Sequence, residues 1–242
     1  MKIAIITAMN PEMELLRNIT NAYLSLSIAG CDIYHGKFDH LHIALLKTGI
    51  GKVSAAIGTT LLIKYFSPKY IINTGSSGRL FPTLKIADIV ISTHVCYHDV
   101  NVTAFDYQLG QMAQCPATFI AEKELILTAK ESIKILNLHA MYGLICTGDS
   151  FINNIKDVNY IRKHFPDALA VDMEGAAIAH VCYKFNIPFI VVRSISDIAD
   201  EKSNFYFNNF LPIAAQQSNR IVETMLILLS KKTKNKKLYQ NQ

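Results

Sequence analysis

The sequence predicts an α/β fold, a three-layer α/β/α sandwich in which helices cover both faces of a central mixed β-sheet. Short β-branched runs alternate with helical patterns along the 242 residues, an order typical of a sheet covered by helices. Two early alternating runs, Ser25–Ala29 and Asp32–Phe38, are joined at Gly30-Cys31 as a hairpin, which adds antiparallel pairing. No linker or repeat interrupts the pattern. We therefore predict one domain over residues 1–230.

The N-terminal half begins with a strand that leads into a helix. Lys2–Thr7 is a β-branched run, and Asn10 is placed to cap a helix that has Pro11 in its first turn. The next predicted elements are the strand Leu41–Lys47, the helix Val53–Phe66, and the buried strand Tyr70–Gly75 with the turn Ser76-Ser77-Gly78 at its end.

Strands and helices continue to alternate in the C-terminal half. The predicted strands are Asp88–Thr93, Met141–Thr147, Leu169–Met173 and Pro188–Ser194. The predicted helices are Glu122–Leu136, Gly175–Phe185 and Phe210–Leu229, and Val102–Ala117 is a loop-rich excursion. Ligands of such folds bind beyond the carboxyl ends of the strands. One crevice is therefore expected where strands end, near Met9 and Glu12, Ser76 to Gly78, Phe151 and Ile152, Met173 and Glu174, and Arg193 to Asp197.

Composition favours a soluble, cytoplasmic protein. Half of the residues are hydrophobic, but no apolar run reaches the roughly 18 to 20 residues that span a bilayer. The opening MKIAIITA is too short for a signal peptide and lacks a cleavage site. The five cysteines are scattered without C-x-x-C spacing, as is typical of reduced thiols in the cytosol.

The net charge of +5 lies mainly in residues 231–242, a lysine-rich segment after the last predicted helix. Without its five lysines the rest of the chain is about neutral. We predict that this segment is a flexible, solvated terminus. Contact with nucleic acid or a membrane is the less favoured interpretation, and neither is expected as a partner.

Acidic residues follow several strands, but each has a structural explanation. Asp172 and Glu174 lie between a strand and a helix, and Glu12 lies in the first turn of a helix, where the helix dipole stabilises acids by about 0.3 to 1 kcal/mol. Arg193 and Asp197 end a very apolar strand. They either pair with each other or meet a ligand, and we favour the ligand.

Three common site motifs are incomplete. Gly49–Lys52 lacks the spacing and the Ser or Thr of a phosphate loop. His94 and His98 have no third ligand at metal-site spacing, so no metal is predicted. Ser76 and Ser150 lack the G-x-S-x-G elbow of serine hydrolases.

Seven motifs occur in order along the chain. They are I-x-A-M-x-x-E at Ile6–Glu12, T-G-I-G-K at Thr48–Lys52, I-I-N-T-G-S at Ile71–Ser76, Y-H-D-x-x-V-T-A-F at Tyr97–Phe105, T-G-D-S-F-I at Thr147–Ile152, V-D-M-E at Val171–Glu174 and R-S-I-S-D at Arg193–Asp197. Together they resemble the 5′-methylthioadenosine/S-adenosylhomocysteine nucleosidase family of the nucleoside phosphorylase superfamily, from Met1 to about Leu229.

The resemblance implies a nucleoside phosphorylase-like fold and a homodimer without cofactor or metal. Its implied reaction is hydrolysis of the N-glycosidic bond of 5′-methylthioadenosine and S-adenosylhomocysteine. It also implies that Glu12 is the base that activates water and that Asp197 is the acid that protonates the adenine leaving group. Water would attack the sugar from the face opposite adenine, as in inverting glycosidases. Asp197 would then need a raised pKa and Glu12 the opposite.

The resemblance also implies a set of binding residues. Glu174 and the Met173 backbone would bind the ribose hydroxyls, Phe151 would stack on adenine, and Phe207 would line the alkylthio end. The full implied set is Met9, Ile50, Ser76, Gly78, Phe151, Ile152, Asp172, Met173, Glu174, Arg193, Ser196 and Phe207, joined by Val102 of the partner subunit and Phe105 of the partner subunit.

Four positions depart from the family pattern: Arg79, Asn101, Ala113 and Asp172. Asp172 stands where a longer glutamate is common, so we expect a weaker hydrogen bond behind the site. Ala113 stands where a proline is common, so we expect an altered preference between the two substrates.

Two other functions compete with hydrolysis. A phosphorolytic relative would need cations around phosphate, whereas the first loop carries Glu12 and Glu14, and a carboxylate repels phosphate. A nucleoside sensor, or a nucleic-acid-binding protein using the lysine segment, would leave Asp197 without a role.

Overall fold

One mixed β-sheet organises the computed structural model of the protein, which describes residues 1–199 and 203–240. Its strands are β1 (Lys2–Thr7), β2 (Tyr23–Ile28), β3 (Cys31–Phe38), β4 (Leu41–Lys47), β5 (Tyr70–Arg79), β6 (Ile89–Tyr97), β7 (Phe119–Ile120), β8 (Ala140–Thr147), β9 (Ala168–Asp172) and β10 (Phe189–Asp197). The path runs β10-β6-β8-β9-β5-β1-β4-β3-β2, and β10 also pairs with β5. Strands β10, β6, β8, β9 and β5 therefore close into a ring, from which β1 to β4 extend as an open sheet.

Helices form the two outer layers. They are α1 (Asn10–Thr20), α2 (Lys52–Phe66), α3 (Lys123–Leu136), α4 (Ile155–His164), α5 (Gly175–Phe185) and α6 (Ser203–Gln240), with a 3₁₀ turn at Thr103–Phe105. Helix α6 contacts α1 and α3, whereas α2 contacts α5. The sandwich with a central mixed sheet is confirmed. None of the helices among the described residues has the length and apolar character needed to cross a membrane.

The core is centred on β1, β4, β5 and β10. Ile3, Ile5, Ile72 and Ile190 are fully buried. Strands covered on both faces are read from sequence as continuous apolar runs, which is why Lys2–Thr7 and the run before Ser194 were predicted correctly.

Several predicted boundaries are wrong, and one of these errors concerns the end of β5. It does not turn at Gly75 but continues to Arg79, because β10 runs parallel beside it and pairs Arg193 with Gly75 and Ser194 with Ser76. Small residues here permit close packing between neighbouring strands rather than a turn. Helix α4 was not predicted, and the N-cap of α1 is Met9 rather than Asn10.

The closing helix α6 is longer than predicted at both ends. It begins at Ser203 instead of Phe210 and continues past Leu229 to Gln240, so it includes most of the lysine-rich segment. The last two residues of that segment lie outside the described part of the chain. Flexibility of the segment in solution stays a prediction. Near its middle, α6 fixes the start of α1, since Asn219 Nδ2 donates to the Glu12 carbonyl at 2.8 Å.

Candidate active site

A cavity of about 510 Å³ opens where β1, β5, β9 and β10 end and α6 begins. The structure brings together every residue that was predicted on this chain's own side of the site. Those lining the cavity are Met9, Glu12, Ile50, Ser76, Gly78, Phe151, Ile152, Asp172, Met173, Glu174, Arg193, Ser196, Asp197 and Phe207. The expected convergence at the strand ends therefore occurs, and the individual roles of these residues stay predictions.

Glu12 is held at one wall by residues that follow β1 and by Ser76 within β5. Its Oε2 accepts from the Ala8 and Met9 amides, both at 3.2 Å, and Oε1 accepts from the Ser76 amide at 3.0 Å and the Ser76 hydroxyl at 3.3 Å. The contact with Met9 makes Glu12 a helix-capping residue as well as a cavity residue.

Burial raises the pKa of Glu12 above its ordinary value. The positive charge of Arg193 and the donors of Ser76, Met9 and Ala8 act in the opposite direction but do not cancel the effect of burial. The proposed role requires Glu12 to be ionised near neutral pH, and burial acts against that requirement. Because a buried carboxylate loses its hydration, removal from water outweighs its hydrogen bonds.

Asp197 lies at the last position of β10 and is 2% exposed. Its Oδ2 accepts from the Ser196 hydroxyl at 3.0 Å, and Oδ1 accepts from the Ala199 amide at 3.0 Å. A register shift between Ile195 and Asp197 interrupts the pairing with β5 at this point. Such an irregularity redirects a side chain at the end of a strand, and here the carboxyl group faces the cavity.

Strand β5 passes close to both carboxylates through two glycines. A Cβ atom at Gly75 would lie 2.7 Å from Glu12 Oε1, and one at Gly78 would lie 3.1 Å from Asp197 Oδ1. Three residues of strand correspond to about 10 Å. The two carboxyl groups therefore approach β5 at separate points and leave space between them for a ligand.

Arg193 pairs with Asp172, not with Asp197. Its Nε and Nη2 donate to Asp172 Oδ2 at 2.9 and 2.7 Å, and Nη2 also donates to Asn73 Oδ1 at 2.6 Å. The alternative of an Arg193–Asp197 pair is thus wrong. Arg193 Nη1 is buried and has no hydrogen-bond partner among the described residues, so it is a donor available to a ligand.

Asp172 is saturated with donors despite its short side chain. Besides Arg193, it accepts from Thr147 Oγ1 and from the Gly175 amide. A Cβ atom at Gly175 would lie 2.5 Å from Asp172 Oδ2, so only glycine permits this approach. Asp172 lies at the cavity wall and orients Arg193, and a weaker hydrogen bond from its shorter side chain stays a prediction.

Glu174 faces the cavity between β9 and α5. Its Oε1 accepts from the Gly51 amide at 2.8 Å. Burial, followed by the negative charge of Asp172, raises the pKa of Glu174 to about 7. Its carboxyl group therefore changes its ionisation state in the neutral pH range.

The other end of the cavity is aromatic and open. The Phe151 and Phe207 rings meet edge to face, with centroids 5.7 Å apart. Ile50 is 56% exposed beside them. In this chain Phe105 is 75% exposed, and neither Val102 nor Phe105 lines its own cavity.

Sequence reasoning missed some cavity residues. Asn73 is a polar residue inside an apolar strand, a signal that was available in the sequence. Asn204 and Asn208 are spaced four apart around Phe207, but the helix was predicted to begin later, so this spacing was not interpreted. The cavity residues that were not predicted are Ala8, Asn73, Thr74, Gly75, Ser77, Ser150, Val171, Asn204 and Asn208.

Acidic side chains outnumber basic ones in this cavity. Among its described lining residues, Glu12, Asp172, Glu174 and Asp197 are acidic and Arg193 is the basic residue. Arg17 lies over the Tyr34 ring, 4.6 Å from its centroid, and does not line the cavity. The site is therefore suited to a neutral or cationic ligand and unfavourable for a phosphate dianion.

The chain matches known proteins over nearly its full length. The model of the phosphorylase superfamily matches residues 2–227. A 5′-methylthioadenosine/S-adenosylhomocysteine nucleosidase from Neisseria meningitidis, solved with methylthio-immucillin-A, shares 41% identity over 93% of this chain and 98% of that chain, with a TM-score of 0.91. The corresponding nucleosidase from Colwellia psychrerythraea, solved with adenine, shares 43% identity over 93% and 94%, with a TM-score of 0.90.

A hydrolase that acts on a different substrate has the same fold. A futalosine hydrolase from Helicobacter pylori shares 32% identity over 93% of this chain and 97% of that chain, with a TM-score of 0.89. The chain belongs to the phosphorylase superfamily. Within it, the nucleosidases at 41% and 43% identity confirm the resemblance predicted from the motifs.

Proposed function

We propose that this protein hydrolyses the N-glycosidic bond of 5′-methylthioadenosine and S-adenosylhomocysteine. The products are adenine with 5-methylthioribose or S-ribosylhomocysteine, and 5′-deoxyadenosine is a third substrate. The main support is the pair of buried carboxyl groups, Glu12 and Asp197, that reach one cavity at separate points along β5. The nucleosidases among its relatives, one with adenine and one with methylthio-immucillin-A, agree with this assignment.

The leaving group is the first chemical requirement. As the bond between the sugar and the base breaks, electron density moves onto the purine. A proton from Asp197 to purine N7 makes adenine a neutral leaving group, while the sugar acquires oxocarbenium character. Gly78 supports this role because its lack of a side chain leaves room beside the Asp197 carboxyl.

Water is the nucleophile. Glu12 takes one of its protons, and the remaining hydroxyl forms the new bond to the anomeric carbon. A raised pKa suits this role, because a carboxylate whose pKa lies closer to the working pH is a stronger base. The amides of Ala8, Met9 and Ser76 fix the carboxylate so that it needs no reorientation during the reaction.

Binding residues surround the reacting atoms. Glu174 accepts hydrogen bonds from the ribose hydroxyls beside Met173, and the unpartnered Nη1 of Arg193 supplies a donor to the same region. Phe151 stacks on adenine, and Ile152 presents its backbone to the purine edge. Met9, Ile50 and Phe207 surround the 5′ substituent at the aromatic end.

Product analysis distinguishes hydrolysis from phosphorolysis. The protein is incubated with each thioether nucleoside in phosphate-free buffer, and adenine is followed by chromatography. We expect the same rate of adenine release with and without phosphate, and a free sugar product. A requirement for phosphate, with formation of a sugar 1-phosphate, would contradict hydrolysis.

A homodimer completes the site in this proposal. Val53 and Phe105 are 70% and 75% exposed, and Ile50 at the cavity mouth is 56% exposed. These apolar side chains are available for contact with a second copy of the chain, in which Val102 and Phe105 would close the partner's cavity. Sedimentation analysis should give a dimer, and Phe105→Ala should raise KM.

The five cysteines, all of them free, support a cytoplasmic location.

A further inference from the structure

Two asparagines line the cavity at the first turns of α6. Asn204 and Asn208 are cavity residues on either side of Phe207, and both are exposed. Residues four apart in a helix lie on the same face, with Cβ atoms about 5 to 6 Å apart. Their side-chain amides make no hydrogen bond within the described part of the chain. Asn209 differs, because it is outside the cavity and its Nδ2 donates to the Phe205 carbonyl at 2.7 Å.

In the proposed function, these amides lie near the 5′ end of the substrate. Phe207 contacts Phe151 edge to face, and in the proposed function Phe207 borders the 5′ substituent. Asn204 lies one turn before Phe207, and Asn208 follows it directly. With the substrate in that position, an apolar wall would surround the sulfur, and the two exposed amides would lie next to that wall on the solvent side.

The two substrates are identical up to the sulfur and differ only in the group attached to it. 5′-Methylthioadenosine ends in a methyl group, whereas S-adenosylhomocysteine continues to an α-amino acid with one ammonium and one carboxylate. A side-chain amide has two N–H donors and a carbonyl acceptor, so a pair of amides can bind both charges. Since the amides are neutral, they also match the zero net charge of this group.

We propose that Asn204 and Asn208 bind the amino-acid end of S-adenosylhomocysteine and increase the preference of the site for substrates with such a tail. This inference rests on the proposed function. A hydrogen bond to a charged group changes affinity by about 10-fold or more. We therefore expect the pair to affect substrates with an amino-acid tail far more than those with an alkyl tail.

Three substrates test this assignment in the variant N204A/N208A. They are S-adenosylhomocysteine, 5′-methylthioadenosine and 5′-butylthioadenosine, whose tail has a similar chain length without charges. We expect kcat/KM for S-adenosylhomocysteine to fall at least about 10-fold more than for the two alkyl substrates, mainly through KM. Asn209→Ala is the matched control, because it removes the same residue type from the same helix outside the cavity.

Equal losses on all three substrates would overturn the proposal, as would an undiminished kcat/KM for S-adenosylhomocysteine. If N204A/N208A fails to fold, N204L/N208L replaces it. Leucine keeps a side chain of similar size without an N–H or carbonyl group, so S-adenosylhomocysteine should again be the substrate most affected. Failure of the proposed function has a different result: the unmodified protein would release adenine from none of the three.

Discussion

The cavity has a carboxyl group at each of two ends, Glu12 at one and Asp197 at the other, and the two groups are held in different ways. Glu12 and Asp197 are both 2% exposed, and each lies against a glycine of β5. Glu12 is fixed by amides that follow β1 and by the Ser76 amide within β5, whereas contacts of Asp197 include its chain neighbours Ser196 and Ala199. The proposed base is therefore fixed by backbone amides that follow β1 and lie within β5, whereas the donors to the proposed acid include a hydroxyl and an amide from its own segment.

Removal of either carboxyl group should give the largest effect. We expect Glu12→Gln and Asp197→Asn each to lower kcat by about 10² to 10⁴-fold, the range for loss of a general acid or base. Adenine release under single-turnover conditions measures this loss. Both substitutions conserve size, so circular dichroism should show an unchanged fold. If either variant kept more than about a tenth of the activity, the two-carboxylate mechanism would be wrong.

The glycines of β5 test whether the two ends differ in rigidity. A Cβ at Gly75 would meet Glu12 Oε1 at 2.7 Å, but one at Gly78 would meet Asp197 Oδ1 at 3.1 Å. Hydrogen bonds fix the Glu12 carboxylate, so it cannot move away from an added Cβ without losing them. Gly75→Ala should therefore lower kcat by about 100-fold, a typical result of misplacing a catalytic group by about 1 Å. Gly78→Ala should lower kcat by about 10-fold or less.

Steady-state kinetics of the two alanine variants provides the measurement, with thermal unfolding as a control for stability. A larger loss in Gly78→Ala than in Gly75→Ala would reverse the comparison between the two ends.

Ionisation of Glu174 should appear in the pH dependence. Its pKa is raised to about 7, so its carboxyl is protonated below that pH and ionised above it. The ribose hydroxyls donate to the ionised form, and kcat/KM should therefore fall as pH falls through about 7. Burial raises the pKa of Glu12 as well, so the apparent pKa of the pH profile belongs to both groups.

The variant Glu174→Gln separates the two groups. In this variant, activity should fall about 10-fold, and the acidic limb of the pH–activity profile should move. An identical limb in the variant would exclude this assignment.

Sequence reasoning succeeded where the signal is local. Apolar runs located β1, β4 and β10, and motifs at strand ends identified the predicted cavity residues on this chain's side. It failed where distant segments meet. The continuation of β5 depends on pairing with β10, the partner of Arg193 is Asp172 rather than Asp197, and the pKa of Glu12 depends on how deeply the fold buries it.

The smallest expected effects concern the serines beside the two carboxylates. Ser76 Oγ lies 3.3 Å from Glu12 Oε1, which also accepts the Ser76 amide at 3.0 Å. Because alanine keeps that amide, Ser76→Ala should lower kcat/KM by about twofold. Ser196 Oγ donates to Asp197 Oδ2 at 3.0 Å, and a hydrogen bond of this kind contributes about 1 kcal/mol, or roughly fivefold. Ser196→Ala should therefore lose more activity than Ser76→Ala in adenine-release assays on both substrates. The opposite order would mean that the hydroxyl of Ser76, rather than the backbone, fixes Glu12, and that the proposed base is the less rigidly held of the two groups.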